Sequence, residues 1–155
     1  MIDTSRTHTA PVTIRKATAA DFAAIEALLS ESDLPTVGIR ESVCSLLVAE
    51  ADAQIVGVVG MESCGDYGLL RSTAVAPAWR GHRVARQLVE RIIGEAESRG
   101  VRALYLLTTT AETYFPSFGF QPAPREAAPG EIRATGEFAG ACPVTATLMC
   151  LTLPA

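Results

Sequence analysis

The segment "LLRSTAVAPAWRGHRVARQLVERIIGEAESRG", residues 69–100, constrains the fold more than any other stretch. It begins as an apolar, β-prone run that Pro77 stops. Arg80, Gly81 and Arg83 follow. From Val84 the apolar residues recur at helical spacing, through Leu88, Val89, Ile92, Ile93 and Ala96. Gly100 is a natural C-terminal stop. A strand that turns tightly into a helix leaves several backbone N–H groups unpaired, with the positive end of the helix dipole behind them. Such a turn suits an anion, best of all a pyrophosphate, and Arg80, His82, Arg83 and Arg86 can add charge-assisted contacts. The competing reading is a solvated arginine face, with Gly81 relieving a turn.

The flanking segments supply a sheet for this unit. Residues 11–17 read as a first strand, and Thr18 with Asp21 resembles a capping box before a helix carrying Phe22, Ile25, Leu28 and Leu29. Residues 33–42, with Pro35 and Gly38, read as a loop. Residues 45–63 read as a hairpin turning near 51–53, and "CGD" at 64–66 makes the next turn into a strand over 67–77. Residues 101–110 form an apolar and therefore central strand. Residues 111–122 form a short helix, a Gly turn and the start of another strand. Residues 123–143 are an irregular connection, and residues 144–153 a last strand. The order β-α-loop-β-β-β-α-β-α-β-β predicts an α/β sandwich on a mixed sheet. Residues 1–11 read as a flexible tail and 12–155 as one domain; no repeat or second domain is visible.

Composition enters as a set of exclusions. A chain of 155 residues can bury one real core. Its net charge of −4 argues against nucleic acid or an anionic membrane as the main partner. No apolar run reaches the roughly 18 residues of a membrane span, and the start lacks the apolar core of a signal peptide. Cys44, Cys64, Cys142 and Cys150 show no CxxC spacing, so free thiols in the cytoplasm are expected. The only histidines are His8 and His82, which argues against a metal site. A G-x-G-x-x-G run and a Walker A loop are both absent.

With the V-x-P-x-x-R-G step at 75–81 and the Y-F-x-x-x-G-F step at 114–120, the chain resembles the GNAT superfamily of acyl-CoA-dependent N-acetyltransferases over roughly residues 13–153. The resemblance implies a mixed, mostly antiparallel sheet flanked by helices on both faces, and acetyl-CoA as cosubstrate without a metal. It assigns the pantetheine arm to the backbone of Ala74, Val75 and Ala76. It assigns the phosphates to Arg80, Gly81, His82, Arg83, Val84, Ala85 and Arg86. The family pattern carries glycine where Arg83 stands. The backbone N–H survives that change, whereas close approach and a positive φ become harder.

Acetyl transfer requires a base for the amine proton, and an acid can protonate the departing thiolate. The tyrosine that the family uses as acid is Phe115 here. Tyr114 stands one place earlier, where a helical turn aims it elsewhere; it is a candidate acid or an aromatic under the loop. A thiolate can also leave without a dedicated acid. Glu62, ending "VVGMES" among apolar neighbours, is the candidate base, or else a carboxylate paired with Arg71. Asp66 is a turn-former. Arg71 interrupts "LLRSTAV" and must be paired or reading an anion. Thr108, Thr109 and Thr110 end a strand at the cleft, where their hydroxyls can line an acceptor site. Together "GLLRSTAVAP", "LYLLTTTAETYF" and "EIRATGEFAGACPVTATLM" resemble the arsenic-resistance branch related to arsinothricin and phosphinothricin N-acetyltransferases. That likeness implies Glu62, Arg71, Thr109 and Arg133 around an amino acid with two acidic ends, a small-molecule partner, and a chain compatible with a homodimer. The rivals are another amine acceptor (a protein N-terminus, a polyamine, an aminoglycoside) and a non-catalytic acyl-CoA-binding module.

Overall fold

The structure, a computed structural model, describes residues 11–34, 36, 44–109, 111, 113–135, 138 and 146–154. His8, Thr110, Cys142, the tail over 1–10 and most of the 33–42 loop lie outside the described residues. Seven strands form one sheet: β1 (Thr13–Lys16), β2 (Cys44–Ala51), β3 (Gln54–Cys64), β4 (Tyr67–Val75), β5 (Ala103–Thr108), β6 (Gln121–Ala123) and β7 (Thr147–Thr152). Their spatial order is β1-β2-β3-β4-β5-β7-β6. Every neighbouring pair is antiparallel except β4 and β5. The strand and helix order therefore follows the expected pattern, and the mixed, mostly antiparallel sheet is present.

Two helices cover opposite faces of that sheet. Helix α1 (Phe22–Glu31) packs Ile25, Leu28 and Leu29 onto Leu46, Val48, Val58 and Ala74. Helix α2 (Val84–Ser98) packs Val84, Leu88, Val89, Ile92 and Ala96 onto Leu47, Ala49, Val59, Met61 and Leu70. Leu46 and Leu47 lie on different faces because successive strand side chains alternate. A short helix, α3 (Gly130–Arg133), seats Ile132 with Leu69, Tyr105 and Leu148 in a third cluster on the α1 side. Gly57 lets α2 lie close to β3: a Cβ there would meet Leu88 and Val84 at 2.9 Å.

The start of α1 is fixed by charge. Asp21 accepts the Thr18 N–H at 2.8 Å and two bonds from the Arg15 guanidinium at 2.8 and 3.1 Å, while Arg15 Nε donates to Glu50 at 2.9 Å. Arg15, then the Thr18 backbone, hold the Asp21 carboxyl down at about 2. This lashing joins β1, β2 and α1 at the edge of the sheet. Among the described residues, no helix is long and apolar enough to cross a membrane. Cys64 and Cys150 are free thiols.

Candidate active site

The parallel pair β4–β5 is joined only at Tyr67–Ala103, Gly68–Leu104 and Leu69–Tyr105. Beyond Leu69 the ladder ends while both strands continue, so the sheet opens between them. β4 is also irregular on its other side: Arg71 pairs with Gly60 and Ala74 with Val58, so Ser72 and Thr73 stand against Val59 alone. Ser72 takes up the extra residue with φ +61 and is buried. The strand is thus bent at the point where the sheet divides.

On the α2 face a pocket of about 290 Å³ lies at the end of β4. Val75, Val84 and Ala85 form its apolar wall, and Trp79, Arg80, Gly81, Arg83, Arg86 and Tyr114 complete it. Its floor is backbone. The first bond of α2 runs from Gln87 N–H to Arg83 O at 3.1 Å, which leaves the N–H groups of Val84, Ala85 and Arg86 ahead of it. Gly81 has φ +83, and nothing lies within 4 Å of the Cβ it lacks. Arg83 caps the helix at φ +65 and ψ +20, the left-handed region. The glycine position of the family pattern therefore keeps a glycine-like backbone while carrying an arginine.

The three loop arginines occupy different places. Arg80 Nε donates to Val75 O at 3.2 Å. Arg86 donates to Ser117 Oγ at 2.8 Å and to Glu90 at 3.3 Å, and its guanidinium lies 4.4 Å from the Phe118 ring centre. Arg83 is exposed. His82 does not line the pocket; it meets Trp79 edge-on at 6.1 Å. Of the three residues assigned to the pantetheine arm, Ala76 gives its N–H to Val56 O at 2.8 Å. Strand alternation then turns the backbone of Ala74 and Ala76 toward β3 and that of Val75 toward the open side.

Tyr114 and Phe115 point to different places, as expected of adjacent residues in a helical turn. The backbone forms a tighter 3-10 turn at Phe115–Phe118, and Tyr114 lines the pocket. Phe115, at the family's tyrosine position, is buried in the core with Phe120. Burial pushes the Tyr114 hydroxyl above the ordinary tyrosine range; Arg86 acts against this and Glu90 with it. Tyr67 and Tyr105 pack edge-on at 6.0 Å, in and against the third cluster.

On the opposite face Glu62 and Arg71 come together. Arg71 Nη1 lies 3.4 Å from Glu62 Oε1, with side chains 2% and 17% exposed. Arg71 Nε also donates to Ser72 Oγ at 3.3 Å. Thr109, just past β5, and Arg133, at the end of α3, are exposed and make no described contact with this pair. Thr108 Oγ1 accepts the Ala111 N–H at 2.9 Å, so that hydroxyl shapes the strand exit. Among the described residues no group of three or more His, Cys, Asp and Glu could hold a metal ion.

Sequence reasoning did not single out Ser72, Trp79, Glu90, Ser117 or Phe118. Ser72 looks like any strand serine, because its φ has no local signature. Trp79, the sole tryptophan, sits beside the arginine loop in "PAWRG" and was detectable there as an aromatic at an anion site.

A divided sheet with a helix N-terminus at the opening suits an extended ligand that carries an anionic group. The family profile described as "Acetyltransferase (GNAT) domain" matches residues 42–122. The chain belongs to the GNAT acetyltransferase family. It is 38% identical over 64 residues to an "IAA acetyltransferase" of Azospirillum brasilense, 40% of this chain and 42% of that protein. N-acetylglutamate synthase from Neisseria gonorrhoeae, complexed with coenzyme A and N-acetyl-glutamate, superposes with a TM-score of 0.79 at 25% identity. That match covers 94% of this chain and 36% of the synthase. The chain thus spans well under half the length of these two relatives. The Escherichia coli ribosomal-protein-S18-alanine N-acetyltransferase shares the fold at a TM-score of 0.74 and 20% identity, over 94% of this chain and 96% of that one.

Proposed function

We propose that the chain transfers the acetyl group of acetyl-CoA to the α-amine of a small amino acid carrying a second acidic group, of the arsinothricin or phosphinothricin type. The observation that carries this reading is the buried Arg71–Glu62 pair at the opening of the sheet. This places a guanidinium and a carboxylate together at the point where β4 and β5 part. A guanidinium has five N–H donors and a planar fork suited to carboxylate, phosphinate or arsinate oxygens. N-acetyl-glutamate bound to the Neisseria synthase is likewise a doubly acidic amino acid.

The donor fits the α2 pocket. Backbone N–H groups at 84–86 and the charges of Arg80 and Arg83 suit its phosphates. Val75 offers its N–H to the pantetheine arm, while its C=O accepts from Arg80. The amine nitrogen attacks the thioester carbon, forming C–N as C–S breaks. Glu62 takes the amine proton, and the departing sulfur takes one from the Tyr114 hydroxyl, which solvent restores. Thr109 and Arg133 complete the acceptor side once substrate is bound. The setting is a single domain over 12–155 in a cytoplasmic detoxification enzyme for arsenic or antibiotic resistance, with a homodimer as the assembly to test by light scattering.

The test is kcat/KM for arsinothricin, phosphinothricin, glutamate and spermidine in the wild type and in Arg71→Lys. Lysine keeps the charge and loses the fork, so the anionic acceptors fall by about tenfold or more. Preference for spermidine, or anionic substrates indifferent to the substitution, overturns the reading in favour of another amine acceptor.

A further inference from the structure

Arg86 belongs to the loop that holds the donor phosphates, yet its guanidinium is engaged elsewhere. One nitrogen donates to Ser117 Oγ at 2.8 Å, another to Glu90 at 3.3 Å, and the plane sits over Phe118 at 4.4 Å. Ser117 Oγ in turn donates to the Tyr114 carbonyl at 2.8 Å. The Tyr114 ring stands edge-on to Phe118 at 5.3 Å and to Phe115 at 5.4 Å. One side chain of α2 thus grips, by fork and by face, the turn that carries the pocket's tyrosine. Phe115 anchors the turn in the core, while Pro116 and Ser117 are exposed and Gly119 follows at φ +101.

We infer that Arg86 is a positioning residue: it ties the donor-binding helix to the 114–118 turn and thereby holds the Tyr114 hydroxyl at the departing sulfur. This rests on the reading of Tyr114 as the acid. Charge-assisted bonds and a guanidinium stacked on an aromatic face fix orientation better than either alone. A hydroxyl displaced by about 1 Å loses on the order of a hundredfold in rate, whereas the donor phosphates do not depend on where it stands.

The experiment compares Arg86→Met, which keeps the packing on Phe118, with Arg86→Lys, Ser117→Ala, Tyr114→Phe and the double variant Arg86→Met/Tyr114→Phe. The readouts are thiol release from acetyl-CoA, with water and with phosphinothricin as acyl acceptors, and calorimetric binding of CoA. Arg86→Met is expected to lose about tenfold in kcat, with KM for acetyl-CoA and CoA affinity within about twofold. Arg86→Lys recovers part of the rate, Ser117→Ala loses about threefold, and the double variant is no slower than Tyr114→Phe. CoA affinity weakened tenfold at unchanged kcat makes Arg86 a phosphate ligand and overturns the inference. Full activity in Arg86→Met overturns it while Tyr114→Phe remains impaired. Full activity in Tyr114→Phe removes the acid reading itself, and the inference with it. Should Arg86→Met fail to fold, unchanged kcat in Ser117→Ala is decisive against the tether.

Discussion

The two faces of the divided sheet are built by different means. On the α2 face the pocket is made mostly of consecutive residues, 75–86, and takes in the N-terminus of α2. On the α1 and α3 face the groups proposed for the acceptor are side chains brought from separate strands, Glu62 on β3 and Arg71 on β4, nine residues apart and joined across a hairpin. A backbone site tolerates changes of side chain, which is why arginine can stand at Arg83 in a glycine conformation. A side-chain site does not, because each atom is a partner for another. Substitutions on the two faces should therefore differ in kind: affinity and small stability changes on one, loss of chemistry or of fold on the other.

The sharpest test of that contrast is Glu62→Gln. The amide is isosteric, keeps an oxygen facing Arg71 Nη1, and cannot accept the amine proton. The loss in kcat should be a hundredfold or more near neutral pH, at the scale of general-base catalysis, and smaller at high pH where free amine accumulates. CoA affinity should be unchanged. A variant that keeps its rate but loses tenfold in CoA binding would show that the two faces are not separate in function.

The same contrast explains what was legible in the chain. Residues 69–100 encode strand, stop, turn and helix through local rules of periodicity, Pro77 and Gly81, and each of these appears in the structure. The α2 stripe was readable residue by residue, with Ile93 half-buried and the others buried. The Arg71–Glu62 contact was only one of two open readings, because pairing across a hairpin depends on register. The bulge at Ser72 and Thr73, just beyond Arg71, shifts the register of the rest of β4 without any mark in composition. Tyr114 likewise had two open readings, acid or aromatic under the loop, because the backbone of one short turn decides which ring faces the pocket.

The α1 face also depends on charge at its outer edge, so acid should act there first. Asp21 is held down at about 2, well below its unfolded value near 4. A depressed carboxyl contributes stability that is complete above the unfolded value and is lost as pH falls through the folded one. Wild-type stability should therefore drop by about 2 kcal/mol between roughly pH 5 and pH 2 from this group. Asp21→Asn should begin lower by that amount and change less over the same range, in urea titrations at fixed salt. Equal acid slopes in the two proteins would remove Asp21 from the account. Substitutions at Val84 or Ala85, in the apolar wall of the other face, should leave the acid slope as it is.

The smallest effect belongs to the backbone site. Arg83 holds φ +65, where a Cβ costs about 1–2 kcal/mol relative to glycine. Glycine gives back part of that through the greater freedom of the unfolded chain, about 0.4–1 kcal/mol. Arg83→Gly should therefore stabilise the fold by about 0.5–1 kcal/mol, a rise of a few degrees in Tm for a chain of this size. The backbone N–H is the same in both residues, so helix-end binding of the donor phosphates should persist. What the variant removes is one exposed guanidinium at the rim of the pocket. If the main chain alone holds the donor, CoA affinity changes by less than about threefold and its salt dependence stays flat. A tenfold loss, largest at low salt, would mean that Arg83 meets a phosphate and that the strained conformation is retained for that contact. The α2 face would then be a side-chain site as well, and the contrast between the faces would be one of degree.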